Sequence, residues 1–141
     1  MGEDTPSWVK SILRWSVTLP MARLALASAF LLGGVLKLID FSGAVAEQAH
    51  FGLQPAPVWA ALAILVEIVG SLLLIVGRYV WLAAGALGVL TVVAMVVADP
   101  FWALDGPARI AAANGFLERC GLIAGFILVA RLAADEPGGA A

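Results

Sequence analysis

The sequence contains few charged residues, one cysteine and one histidine. Only 13% of its 141 residues are charged, compared with roughly 25% in an average soluble domain. Because Cys120 is the single cysteine and His50 the single histidine, the chain offers no internal disulfide, no C-x-x-C motif and no His/Cys set for a metal. The net charge of −2 is too small to indicate nucleic acid as a partner.

Hydrophobic residues make up 62% of the chain, and they are concentrated in long runs. The runs cover about residues 21–39, 57–76, 80–98 and 115–132. Each is close to the ~20 residues that a helix needs to cross a hydrocarbon core about 30 Å thick. Lipid offers no hydrogen bonds to the backbone, so such runs must be helical. We therefore predict an all-α fold, a bundle of four transmembrane helices.

Three segments between or before these runs have weaker helical patterns. Residues 7–17 place Trp8 and Trp15 at helical spacing, with Lys10 and Arg14 four residues apart. This pattern is typical of an amphipathic helix at a membrane interface, and here Thr5 and Pro6 would begin it. The other two segments, each predicted to form a short helix, are 42–50 and 105–114.

The chain divides into three parts in this interpretation. They are a cytoplasmic N-terminus with the interfacial helix (1–19), a four-helix membrane domain (20–132) and a flexible tail (133–141). With the N-terminus inside, five basic residues flank the helices on the inner side and three on the outer side. This bias predicts that both termini are cytoplasmic, in a bacterial-type inner membrane.

Glu67 is the residue that most suggests a site. It lies about ten residues into the second apolar run, near the bilayer midplane, where a bare carboxylate is costly. A proton carrier and a hydrogen-bond partner for a polar ligand such as a quinone are two functional interpretations. A carboxyl that is bonded across helices for structural reasons is the third, and the sequence leaves all three open.

The other polar residues near the helix ends are expected to lie at the membrane surfaces. At about 1.5 Å per residue, Lys37 lies roughly 10 Å nearer the outer surface than Glu67, so Glu118 is the easier partner for Lys37. Arg23 is expected to extend to the inner headgroups. A larger outer polar cluster around Lys37 would also include Asn114, Arg119 and His50.

Several short motifs resemble the DoxX family of small four-helix membrane proteins. They include Ala22-Arg23-Leu24, Gly33-Gly34-Val35-Leu36-Lys37-Leu38 and Leu65-Val66-Glu67-Ile68-Val69-Gly70. The resemblance covers about residues 20–132, and Arg23, Lys37 and Glu67 match recurring polar positions of the family. It implies a membrane protein linked to oxidoreductase systems, some of whose relatives look like quinone-reducing subunits. The fourth helix departs from the usual pattern, because Asn114 and Glu118 have no histidine nearby.

Together these observations predict an accessory membrane subunit of an oxidoreductase or another membrane complex. It would bind a quinone or a lipid between helices, with no metal and no covalent cofactor. Its expected partners are membrane lipids and either other membrane subunits or further copies of itself. The predicted ligand-binding residues are Glu67, Lys37, Glu118 and Arg23. A purely structural or assembly subunit is the alternative. A small transporter is a third possibility. The lack of broken helices at the midplane argues against it.

Overall fold

The computed structural model describes residues 4–136, and all regular secondary structure in that range is helical, as predicted. Residues 137–141 of the predicted tail lie outside the described residues. A π-helical turn, Val66–Gly70, joins α4 to α5, and a single 3-10 turn, Phe101–Ala103, precedes α7. The helices are α1 (Ser7–Leu13), α2 (Thr18–Ile39), α3 (Phe41–His50), α4 (Ala56–Leu65), α5 (Ser71–Val76), α6 (Val80–Ala98) and α7 (Gly106–Ala134).

Three stretches of helix are long and apolar enough to cross a membrane. They are Thr18–Ile39, Ala56–Val76 and Val80–Ala103, and they correspond to the first three predicted runs. The fourth predicted span is less clear. Helix α7 is long enough, with 29 residues, but Glu118, Arg119 and Arg131 interrupt its apolar stretch. The structure therefore contains three candidate membrane spans in residues 4–136 rather than a clear set of four.

The predicted short helix at 105–114 does not exist as a separate element. Asp105 is the N-cap residue and Pro107 lies in the first turn, but the helix that starts here, α7, continues to Ala134. The predicted boundary between residues 114 and 115 lies inside this helix. Gly115 serves close packing within this helix, because a Cβ there would lie 3.0 Å from Asp99 Oδ1.

The N-terminal helix α1 is shorter than predicted. It ends at Leu13 rather than near Val17, and its N-cap residue is Pro6 rather than Thr5. None of its residues is buried, and Trp8 is 66% exposed. Its location at a membrane interface therefore stays a prediction.

The bundle has a closely packed half on one side of the π turn, which we call the closed half. Here α2, α5, α6 and α7 pack together down to the link at residues 77–79, where Gly77 ends α5 in the left-handed region at φ 84°. The rings of Phe30 and Phe126 lie 5.3 Å apart at its edge. Its buried residues are Ala27, Leu74, Val80, Ala83, Ala84, Leu87, Phe126 and Val129.

On the other side of the π turn the helices separate, and we call this part the open half. It consists of α3, α4, the far ends of α2 and α6, and the first half of α7. The short helix α3 folds back beside α4, and its start is fixed by Asp40, whose carboxylate accepts a hydrogen bond from the Gly43 N–H at 3.0 Å. Such a cap satisfies a backbone donor that a helix start would otherwise leave unpaired.

Candidate ligand-binding site

The open half encloses a cavity of about 490 Å³. This volume lies in the range of small-molecule pockets, roughly 300–1,000 Å³. Most of its wall is aliphatic or aromatic, including Phe30, Trp59 and Leu122. The charged, amide and hydroxyl side chains in the wall are Lys37, Glu47, Gln48, Glu67, Thr91 and Arg119.

An ion pair between Lys37 and Glu67 lies in the wall of this cavity. The Lys37 Nζ donates to both carboxylate oxygens of Glu67, at 3.1 Å to Oε1 and 3.0 Å to Oε2. The two side chains are 20% and 12% exposed. A charge in apolar surroundings is tolerated when it is paired in this way. Each of the two residues therefore compensates the charge of the other.

The predicted pairing of Lys37 with Glu118 is wrong. Glu118 is exposed, lies outside the cavity wall and accepts a hydrogen bond from the side chain of Asn114 at 3.2 Å. His50, another predicted member of the outer cluster, packs its ring against Phe51 at 5.5 Å. Of the predicted cluster, only Arg119 joins Lys37 in the cavity wall.

Two local features bring Glu67 and Lys37 together despite their predicted difference in depth. Glu67 is the second residue of the π turn, a wider turn that often occurs at functional sites. Gly34 lets α2 approach this turn, because a Cβ at Gly34 would lie 2.7 Å from Ile68 Cγ1 and 3.0 Å from Glu67 Cβ. The long Lys37 side chain then covers the remaining distance.

A second ion pair joins Asp99, just after α6, to Arg119 in α7. Gly115 makes room for it, because a Cβ there would lie 3.0 Å from Asp99 Oδ1. Arg119 was predicted to join an outer polar cluster, but nothing in the sequence indicated that it pairs with Asp99. The pair holds the Arg119 side chain in the cavity wall.

Sequence reasoning missed three polar residues of the cavity wall. Glu47 and Gln48 come from α3, and Gln48 is only 9% exposed. Thr91 in α6 donates its hydroxyl to the Leu87 carbonyl at 2.7 Å, so toward the cavity it can only accept. Thr91 could have been found from the sequence, because it is a polar residue in the middle of an apolar helix. Nothing in the sequence of α3 indicated that Glu47 and Gln48 line a cavity.

Arg23 does not belong to this site. It lies in the closed half, where its guanidinium packs over Gly77, and a Cβ at Gly77 would be 3.0 Å from Arg23 Nη2. Its Nε is buried and has no hydrogen-bond partner among residues 4–136. The structure thus joins two of the four predicted site residues, Lys37 and Glu67, and separates Glu118 and Arg23 from them.

The long apolar helices and the cavity between them define a helical membrane protein. The chain matches the DoxX family model over residues 18–100, more than half of its length, and it belongs to the DoxX family. This confirms the resemblance that the motifs indicated. The match contains Lys37 and Glu67 but ends before α7 and Arg119. No curated protein and no solved structure matches the chain.

Proposed function

We propose that this DoxX-family protein is an accessory membrane subunit of an oxidoreductase, and that it binds an amphiphile with a quinone-type head group in the cavity of the open half. The observation that supports this proposal is the Lys37–Glu67 ion pair in the wall of an otherwise apolar cavity. Sites for small molecules usually combine apolar walls with a few polar groups that orient the ligand.

The residues of the wall fit the chemistry of a quinone. A lysine ammonium has three N–H donors. The two carboxylate oxygens of Glu67 accept from Lys37, which leaves one N–H donor of Lys37 for a ligand. Arg119 has five N–H donors, only some of which Asp99 can engage. Both residues could therefore donate to carbonyl oxygens of a bound head group. The quinone would supply two-electron redox chemistry, and this chain would bind and orient it.

The proposal includes a fourth membrane span. Helix α7 has 29 residues, which at about 1.5 Å each exceed a ~30 Å hydrocarbon core. Pairing with Asp99 reduces the cost of Arg119 in that helix. Four spans would place both termini on one side, and the distribution of basic residues favours the cytoplasmic side of a bacterial-type inner membrane.

A purely structural subunit is the second candidate, and one observation favours it. Both oxygens of Glu67 are bonded to Lys37, so the pair also ties α2 to the π turn. In that case the pair would serve stability alone, and the cavity would hold bulk lipid. A structural role and a binding role make different predictions for ligand affinity.

Glu67→Gln in the full-length protein, reconstituted in phosphatidylcholine nanodiscs, separates the two candidates. The probe is a fully substituted benzoquinone with a decyl side chain, and its binding is followed by quenching of Trp59, which lies in the cavity wall. Trp59→Phe gives the background from the other tryptophans. Glu118→Gln is the matched control, since Glu118 is exposed outside the cavity.

We expect Glu67→Gln to weaken quinone binding about tenfold, equivalent to about 1.4 kcal/mol. Without the carboxylate, the Lys37 ammonium is free to turn toward the headgroups. The control should bind like the wild type. If Glu67→Gln lowers the melting temperature while quinone affinity is unchanged, the structural role is supported and the binding proposal is rejected.

A further inference from the structure

Helices α4 and α6 both border the cavity, and each packs mainly on other elements of the bundle. Helix α4 packs on α2, α3 and the π turn, whereas α6 packs on α7, α5 and the same turn. Their common contact is thus the π turn, Val66–Gly70. Beyond this turn, residues of both helices line the same cavity, which forms a cleft between α4 and α6.

The walls of this cleft are apolar and reach the membrane-facing surface. Leu62 in α4 and Val89 in α6 both line the cavity, yet they are 48% and 66% exposed. A side chain that belongs to a cavity wall and is also exposed lies at an opening. Both residues lie within the candidate spans, so this opening faces the hydrocarbon region and not the aqueous phase.

The charges around the cavity determine which head group fits. Among residues 4–136 there are two ion pairs, Lys37–Glu67 and Asp99–Arg119, so each cation of the wall already has its carboxylate. Glu47 adds a further carboxylate that has no cationic partner in that range. These two cations and three carboxylates leave a net negative charge around the cavity, which repels an anionic head group. An uncharged head group with carbonyl oxygens would need only the remaining N–H donors.

We propose that the ligand reaches the cavity sideways from the bilayer through the cleft between α4 and α6, with an uncharged head group at the Lys37–Glu67 pair and its hydrocarbon chain in the cleft. This inference rests on the proposed function and deepens it, because it selects a neutral chain-bearing amphiphile over an anionic lipid. The apolar side chains at the opening contact the chain and do not contact the head group.

The test compares ligands with and without a chain in the nanodisc-reconstituted full-length protein. The probes are a fully substituted benzoquinone with a methyl side chain, the same head group with a decyl side chain, and decanoate as the anionic amphiphile. Val89→Phe narrows the cleft. Val92→Phe is its matched control, since Val92 lies on α6, is 45% exposed and is not part of the cavity wall.

We expect Val89→Phe to weaken binding of the decyl quinone about tenfold and to change binding of the methyl quinone by less than about twofold. Val92→Phe should leave both affinities unchanged. In the wild type, decanoate should bind at least about tenfold more weakly than the decyl quinone. Glu47→Gln should raise decanoate affinity without altering that of the decyl quinone, because it removes the unpaired carboxylate.

Three results would overturn the inference while leaving the proposed function intact. In the first, Val89→Phe weakens both quinones equally. In the second, Val89→Phe and Val92→Phe have the same effect. In the third, decanoate binds as tightly as the decyl quinone. If neither quinone quenches Trp59 in the wild type, the proposed function and this inference both fail, so the two failures are distinguishable.

Discussion

The closed and open halves of the bundle are built from largely the same helices but are packed in opposite ways. In the closed half, alanine, leucine and phenylalanine side chains fill the space, and Leu74 and Leu87 are completely buried. In the open half, α2, α6 and α7 together with α3 and α4 surround a cavity of about 490 Å³, and its wall includes Lys37, Glu67 and Arg119 from two ion pairs. The buried apolar cluster of the bundle therefore lies in the closed half.

The division between the halves falls at the π turn, Val66–Gly70. On its closed side, Gly70 touches Leu87, and a Cβ there would lie 3.1 Å from Leu87 Cγ. On its open side, Glu67 faces Lys37 and the cavity. One irregular turn thus ends the close packing and positions the charged group, which is consistent with the frequent use of π turns at functional sites.

The largest expected effect comes from the core of the closed half. Leu87→Ala removes most of a completely buried side chain and should lower the free energy of unfolding by about 2–5 kcal/mol. Leu62→Ala is the matched change in the open half, where the side chain is 48% exposed, and it should cost less than about 1 kcal/mol. Thermal unfolding in a mild detergent measures both. Equal losses would contradict the division into two halves.

The next effect tests the ion pair of the open half. Lys37→Met leaves the Glu67 carboxylate without its partner, which costs about 3–5 kcal/mol for a fully buried pair. Because this pair is partly exposed, we expect a smaller loss, about 1–3 kcal/mol. Adding Glu67→Gln should recover part of it, since the uncompensated charge is then gone. A double variant less stable than Lys37→Met would argue against direct pairing.

Gly34→Ala tests the close approach that makes the pair possible. Its new Cβ would lie 2.7 Å from Ile68 Cγ1 and 3.3 Å from the Ile68 backbone nitrogen, so α2 must move away from the π turn. We expect a loss of about 1–2 kcal/mol together with weaker quinone binding. Gly88→Ala is the control, because its Cβ would meet nothing within 4 Å and alanine favours helix by up to about 1 kcal/mol. If both variants are equally stable, the role of Gly34 is rejected.

The smallest effect is expected at the second ion pair. Arg119 is 33% exposed and Asp99 16%, and ion pairs that solvent reaches contribute about 0.2–1 kcal/mol. Asp99→Asn should therefore change the melting temperature only slightly. Because Arg119 would then carry an uncompensated charge in the cavity wall, affinity for decanoate should rise. An Asp99→Asn variant with unchanged decanoate binding would show that Arg119 does not contribute to head-group selection.

Much of the helical architecture could be predicted because it depends on local sequence. Helix α6 has the predicted bounds, since its apolar run lies between Gly77-Arg78 and Asp99-Pro100. The π turn could not be predicted, because the sequence Val66–Gly70 is as apolar as its neighbours apart from Glu67. The full length of α7 was not predicted either, because the predicted fourth run begins at residue 115, whereas Gly115 packs against Asp99 inside a continuous helix.

The site residues were partly predictable from the sequence, but their pairing was not. A lysine and a glutamate inside apolar helices need partners, so both could be identified as site residues. Their pairing could not be derived, because the distance between them was judged from regular helices. It depends on the contact of Gly34 with the π turn, and such a contact between helices leaves no mark on the periodicity of either one.

The most direct test of the binding site is the amount of quinone that remains with the protein after purification in a mild detergent. The variant is the neutral double substitution Lys37→Met with Glu67→Gln, which removes the donor without leaving an unpaired charge. Extraction and mass spectrometry should find quinone with the wild type and with the Glu118→Gln control, and at least about tenfold less with the double variant. Equal quinone in all three proteins, or none in the wild type, would contradict a quinone site at the Lys37–Glu67 pair.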